Sequence, residues 1–447
     1  MTKPIFNHRI EEALGGSMRD FRVPGGSDLA ARGDAFFAWQ DNRRQNGLWP
    51  FSRSTEAGPG TVCEATDDRG NTNRGVNFAS QDYLSMSSHP AIKETAIETI
   101  RTYGVHSAGS SALVGNTNLS VALERRLADY LQMEEAILYP TGWAAGYGII
   151  KGLVRSADHI VMDMLSHVCL QEGANAATRN IYQFRHLDVD HCRSKLESIR
   201  ARDTENGILI VTEGLFSMDS DTPDIARFQE LANEFNARLV VDVAHDFGAL
   251  GDGTGHIGLQ NMLGKVDLVM GSFSKTFASN GGFVACRSRA LKEYLRFYSP
   301  SATFSNALSP MQAAVVTKAL DIIQTEEGAA LRASLMKNVN FLRSTLTENG
   351  FDYYGDPSAI VAVKVGSEGL ARLVARRIPE LGLLSNLVEY PAVAKGAARF
   401  RMQVMAGHTE QNIRDAVSRL RTAFDAAQGE LEEIAAGGGA MAAFRAA

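Results

Sequence analysis

Residues 208–242 read ILIVTEGLFSMDSDTPDIARFQELANEFNARLVVD. Two runs in this stretch, Ile208–Glu213 and Arg238–Asp242, are apolar at successive positions, and residues 223–236 between them follow a helical pattern. A run that is apolar on both faces fits a strand of a parallel sheet covered by helices on either side. Further runs of the same kind, at 136–139, His159–Asp163, 266–272 and Gly282–Cys286, also alternate with helical segments. The reading is an α/β fold of the doubly wound kind, with a mainly parallel central sheet.

This pattern defines a large domain over residues 76–329. A long helical region, 310–349, is expected to leave it. Beyond, 360–365 and 400–406 read as strands around a helix at Glu368–Arg377, giving a smaller α+β C-terminal domain at 330–425. Residues 1–75 read as an N-terminal arm and one helix. The arm is polar and glycine-punctuated, and the helix runs from a Ser27 N-cap to Asn46, closed by Gly47. Residues 54–74 are rich in Gly, Thr, Asp and Asn, a connector with room for one short strand. Residues 426–447, with Gly437-Gly438-Gly439, read as a flexible tail.

The chain has 447 residues, enough for two cores, and a formal charge of −6 with short basic clusters. That balance argues against a nucleic-acid arm or an anionic-membrane patch and for small-molecule chemistry. No stretch reaches the ~18 uninterrupted apolar residues of a membrane span. The four cysteines, Cys63, Cys169, Cys192 and Cys286, form no CxxC pair, so neither a zinc site nor a disulfide framework is expected. Reduced thiols in a cytoplasm fit best.

Ligands of open α/β sheets collect beyond the carboxyl ends of the strands, so polar residues there are the informative ones. Asp242 ends an apolar run, and a carboxylate at that depth needs a cationic partner, such as a protonated pyridine nitrogen. Lys275, in Gly271-Ser272-Phe273-Ser274-Lys275, lies 33 residues further on at another strand end. A lysine there can be desolvated into the reactive amine that Schiff-base formation requires. Ser272 and Ser274 can donate to a phosphate, and the backbone N–H groups of Gly142 and Trp143, at a helix start, can hold its other oxygens. Each residue alone has an ordinary structural reading. Together they imply a ligand that is both phosphate and aldehyde.

At these residues the sequence resembles the α-oxoamine synthase family of fold-type I, pyridoxal 5′-phosphate (PLP)-dependent enzymes, the group of serine palmitoyltransferase and 8-amino-7-oxononanoate synthase. The marks are the segment from Asn77 to Leu84, Gly115-Asn116-Thr117, Ser166-His167, the segment from Glu213 to Asp219, Asp242 to Gly248, Phe273-Ser274-Lys275, and Arg401 ahead of Ala406-Gly407-His408-Thr409.

The resemblance implies that Lys275 holds PLP covalently, Asp242 pairs with its ring nitrogen, His167 stacks on the ring, and His245 and Ser217 lie near its phenolic oxygen. It matches Ser272, Ser274, Gly142 and Trp143 to the phosphate cradle, Thr303 to a hydroxyl reaching the phosphate in a neighbouring subunit, and Arg401 to the group that grips the amino-acid carboxylate. Arg399, on the same strand face, is the backup for Arg401.

The implied reaction is decarboxylative condensation of serine, alanine or glycine with an acyl thioester on coenzyme A (CoA) or a carrier protein, in a homodimer with shared sites. An aminotransferase is the alternative, as is a non-catalytic partner subunit, against which the intact Lys275 argues. Departures occur at Ser110-Ser111-Ala112, where many relatives carry an arginine, at Ser120, where a histidine is usual, and at Val243, where an acidic residue is common. The first two fall in the acyl-donor and dimer region.

Overall fold

The computed structural model describes residues 10–437. The first nine residues of the expected arm and the last ten of the expected tail lie outside the described residues. The chain forms two compact units, one of Gln81–Leu335 and one joining the residues up to Ser80 with those from Met336 onward.

The first of these is built on a seven-stranded sheet. Its spatial order is Glu135–Tyr139, Gly282–Cys286, Leu268–Ser272, Arg238–Asp242, Ile208–Glu213, His159–Asp163 and Ile181–Phe184. Every residue of His159–Asp163, Ile208–Glu213, Leu268–Ser272 and Gly282–Cys286 is buried, which is why these runs carry apolar residues at successive positions. The helix Ile225–Glu234 covers the sheet with Ile225, Phe228, Leu231 and Ala232, and Asp224 starts it by accepting the Arg227 N–H. Ile149, Ile150, Leu170, Val211, Val240 and Met270 meet in the core.

Neighbouring strands from Leu268–Ser272 through to Ile181–Phe184 pair in parallel, while Gly282–Cys286 runs antiparallel to both its neighbours. The chain has nine residues, Phe273 to Gly281, in which to return from Ser272 to Gly282. A parallel crossover needs about a dozen or more, so the strand must come back antiparallel. Lys275 rides on this short return. The edge strand Ile181–Phe184, absent from the sequence reading, is only four residues long and partly exposed, so it lacks the apolar run that marks its neighbours.

In the other unit, Ile360–Gly366 and Ala398–Gln403 lie side by side in a four-stranded sheet, flanked by Tyr353–Tyr354 and Asn386–Val388. A second sheet pairs the hairpin Val62–Thr66 and Thr72–Asn77 with Leu383–Leu384. The connector at 54–74 thus holds one whole strand and the start of another. Gly75 permits the close approach to the 383–384 strand, since a Cβ there would stand 2.6 Å from the Gly382 carbonyl.

The strands read at 266–272 and 400–406 are Leu268–Ser272 and Ala398–Gln403, and three helices also differ from the sequence reading. The N-terminal helix is Arg32–Gln45 and does not start at Ser27, because the Asp28 carboxylate takes the Ala30 and Ala31 N–H groups in a separate turn. The long helical region splits into Pro310–Ile323 and Glu326–Glu348, with Thr325 capping the second through the Gly328 N–H. The last helix, Glu410–Gly437, runs into the stretch read as tail.

Candidate active site

The sheet of the larger unit delivers three carboxylates to neighbouring strand ends: Asp163, Glu213 and Asp242, with Glu213 and Asp242 directly paired in register. Asp242 is buried, and its Oδ1 accepts the Ala244 N–H at 2.9 Å. Burial pushes its carboxyl up to about 6, against the pull of the Lys275 ammonium and that N–H. Burial, and then the Asp242 charge, drives the Glu213 carboxyl well above its ordinary range. Such a cluster calls for positive charge, and Lys275 is the cation that acts on both.

His167 caps the helix Val168–Ala177. Its backbone N–H donates to Glu213 Oε1 at 2.6 Å, and its Nδ1 receives the Cys169 N–H at 3.3 Å with Cys169 Sγ 3.0 Å away. A backbone N–H can only donate, so Nδ1 is the acceptor and the neutral ring carries its proton on Nε2. Burial raises the Cys169 thiol, which keeps its S–H available to the same nitrogen. His245 is buried and fixed from the other side, with the Tyr83 hydroxyl 2.8 Å from its Nδ1.

The turn after Ser272 holds the two hydroxyls of the expected cradle together: Ser272 Oγ and Ser274 Oγ are 2.8 Å apart. Gly142 opens the helix Gly142–Leu153, whose N-cap Thr141 accepts the Ala144 N–H. A Cβ on Gly142 would stand 2.3 Å from Ser272 Oγ. The helix start and the serine turn therefore meet only because residue 142 is glycine, and amide donors and hydroxyls converge as a phosphate needs. Trp143 is half-exposed and stacks on Tyr147 at 5.3 Å. Ser217 is buried in the loop that follows Glu213.

Thr303 gives its hydroxyl to the carbonyls of Arg296 and Ser299 at the end of a short helix, and its own carbonyl accepts the Ser110 hydroxyl. Arg399 and Arg401 belong to the other unit. Arg399 is buried, its guanidinium 4.0 Å from the centre of the Tyr354 ring, which gives it a packing role. Arg401 is partly exposed. Three residues near these groups were given no site role in the sequence reading. Glu213 could have been found from its register beside Asp242. Tyr83 lies in a segment that carries the resemblance, but its partner and that of Cys169 are set by the fold and are not visible in the sequence.

The loop before His167 is anchored by Asp163, which accepts the N–H groups of Leu165 and Leu187 and faces His186 Nδ1 at 3.0 Å. His186 also bonds Asp221, and despite its burial these two carboxylates raise it to about 10. A histidine whose folded value lies above its unfolded value, about 6.5, stabilises fully below the latter and loses that contribution as pH rises through the former. His186→Gln is expected to cost about 1–3 kcal/mol at pH 6. In urea melts the gap from wild type should narrow steadily toward pH 10, and a gap independent of pH would remove the ion-pair account.

A family model for aminotransferase class I and II matches residues 73–420. The chain is 31% identical over 410 residues to 4-hydroxy-2,2'-bipyrrole-5-methanol synthase of Serratia sp. (strain ATCC 39006), covering 90% of this chain and 61% of that protein's length. It is 33% identical to the serine palmitoyltransferase of Sphingobacterium spiritivorum, over 81% of this chain and 89% of that one. Among solved structures, serine palmitoyltransferase from S. paucimobilis with bound PLP–myriocin aldimine superposes with a TM-score of 0.83 at 26% identity, covering 90% of this chain and 99% of that one.

Proposed function

The chain belongs to the α-oxoamine synthase group of the class I and II aminotransferase family, and from that premise we propose that it condenses a small amino acid with an acyl thioester. An acyl–carbon bond forms at the amino acid's α-carbon, the thioester C–S bond breaks, and the carboxylate leaves as carbon dioxide. The products are an α-amino ketone, carbon dioxide and a free thiol.

The observation that carries the reading is Asp242, a buried carboxylate beside Glu213 whose opposing charge is Lys275. PLP bound at this site supplies an aldehyde for the amino-acid nitrogen and a protonated ring that accepts the electron pair of the α-carbon. Asp242 holds the proton on the ring nitrogen. Lys275, besides tethering the cofactor, takes the α-proton on Nζ and returns a proton after carbon dioxide leaves. His167 would stack on the bound ring and donate its Nε2–H to the thioester oxygen, where charge develops as the new bond forms. Ser272, Ser274 and the amides of Gly142 and Trp143 would bind the phosphate, and Ser217 and His245 would hold the phenolic oxygen. Arg401 grips the amino-acid carboxylate with a two-point guanidinium fork.

A second copy of the chain completes the assembly in this reading. Leu113, Val114 and Phe304 are 80–91% exposed. The loops that carry them are tied together by the Ala307 N–H to the Gly109 carbonyl and by the Ser110 hydroxyl to Thr303. Apolar side chains this exposed suit a subunit interface. Thr303 would reach the phosphate across it. A reducing cytoplasm fits the four free cysteines, and among the described residues no helix is long and apolar enough to cross a membrane.

The test is release of free thiol from acyl-CoA that depends on both added amino acid and PLP, with carbon dioxide in equal amount. The class of the matching family model favours a second reading, amino-group transfer to a keto acid. Exchange of amino groups between an amino acid and a keto acid, with no thiol released, would establish it and overturn the first.

A further inference from the structure

In the unit that joins the two ends of the chain, a cavity of about 470 Å³ opens between the end of the helix Arg32–Gln45, the turn of the hairpin Val62–Thr66/Thr72–Asn77 and the end of the helix Glu368–Arg377. Its wall carries four arginines, Arg44, Arg53, Arg69 and Arg376, and Trp49, a buried residue whose ring has the Arg43 and Arg44 guanidinium groups over it at 5.9 Å. Three carboxylates, Asp67, Asp68 and Glu380, share the wall.

Four carboxylates, Glu430 of the last helix included, balance the four guanidinium groups in number, but they are not paired one to one. Asp68 pairs with Arg44 at 2.5 Å, and Arg376 pairs with Glu430 from the last helix. Asp67 is committed to the hairpin turn, accepting the N–H groups of Arg69 and Asn71 and the Asn71 side-chain amide. Glu380 is exposed. Arg69 makes its hydrogen bond to the neutral Arg44 carbonyl. Among the described residues, neither Arg53 nor Arg69 has a carboxylate within ion-pair distance. Burial pushes the Arg53 guanidinium below its ordinary range, partly opposed by the Asp67 charge, which also acts with Arg69, but among the described residues neither guanidinium is held in a direct ion pair.

We propose that this cavity binds a phosphate-bearing small molecule of nucleotide size, with Arg53 and Arg69 holding the phosphates. The volume lies in the range of ordinary ligand sites, about 300–1,000 Å³. A guanidinium fork matches phosphate oxygens at two points, and two forks on one cavity favour an oligoanion over a single acetate-like charge. The site draws on no residue of the candidate active site and stands independently of the reaction proposed above.

The test uses the full-length enzyme with its cofactor, titrated at low ionic strength with inorganic pyrophosphate and, separately, with adenosine 3′,5′-bisphosphate. Calorimetry and tryptophan fluorescence follow binding, the latter compared with Trp49→Phe. Saturable binding that falls at least tenfold in Arg53→Ala/Arg69→Ala, and is unchanged in Arg202→Ala, an exposed arginine of the other unit, is the expected result. Equal affinity for the two probes assigns recognition to phosphate alone, and a preference for the nucleotide extends it to the rest of that molecule.

Salt should weaken the binding of either probe. Arg53→Lys/Arg69→Lys, which keeps the charges, should retain much of the affinity and serves if the alanine pair fails to fold. Absence of binding at millimolar probe, or binding unaffected by the arginine substitutions, overturns the proposal.

Discussion

Lys275→Ala is expected to lower turnover by on the order of 10²–10⁴-fold and to abolish the visible absorption band of lysine-linked cofactor. Both effects follow from one amine. Lys275 stands on the nine-residue return between Ser272 and Gly282, beyond the carboxyl end of its strand, and its charge acts on Asp242 and Glu213 together. Replacement by alanine leaves the serine turn and the Gly142 helix start in place, so the phosphate of added cofactor still has its donors.

The variant should therefore bind PLP without the covalent link and remain nearly inert. Added small alkylamines should restore part of the lost proton transfer, which separates a missing base from a misfolded site. Wild-type turnover by the variant, or an unchanged absorption band, would remove Lys275 from the role assigned to it.

Asp242→Asn is expected to reduce kcat by on the order of 10²–10³-fold while phosphate-anchored cofactor still binds. The neutral amide keeps the size and the bond from the Ala244 N–H, but it cannot hold a proton on the ring nitrogen by charge. Wild type should show a further sign of that charge. Burial raises the Asp242 carboxyl to about 6, so the carboxylate is present above that value and is lost as pH falls through it.

Affinity of apoenzyme for PLP, read by absorbance titration, should thus weaken as pH drops toward and below about 6, and the Asn variant should lose this dependence. An equal slope in both proteins would place the titrating group elsewhere. Asp242→Glu, which keeps the charge but moves it, should fall between them.

Much of this site could be read before the fold was known, because strands buried on both faces are apolar throughout and a carboxylate or lysine at their ends stands out. Asp242, Lys275 and the serine pair are candidates on that ground, and the fold sets Asp242 beside Glu213 and the two serine hydroxyls 2.8 Å apart. What the sequence left open depends on partners far along the chain. Tyr83 meets His245 across 162 residues, and nothing in either segment signals the other.

Arg399 and Arg401 share a strand face by the two-residue period, so periodicity could not separate them. Tyr354, from a strand two places away in the sheet, occupies Arg399. The hairpin Val62–Thr66/Thr72–Asn77 reads as a connector with room for one short strand because its apolar content is low, and its second strand pairs with residues past Gly382 that the local sequence does not reveal.

That pairing has a consequence for how the protein is made. The Val76 N–H bonds the Gly382 carbonyl, and Leu383 and Leu384 lie in register with Val76 and Asn77. At synthesis rates of ~5–20 residues per second, the N-terminal strand emerges from the ribosome about 15–60 s before its partner exists. The unit carrying Asp242 and Lys275 is contiguous and can close first. The strand Thr72–Asn77, paired on one side with Val62–Thr66, then presents its other edge open in the nascent chain until Leu383 and Leu384 arrive, a template for unwanted pairing.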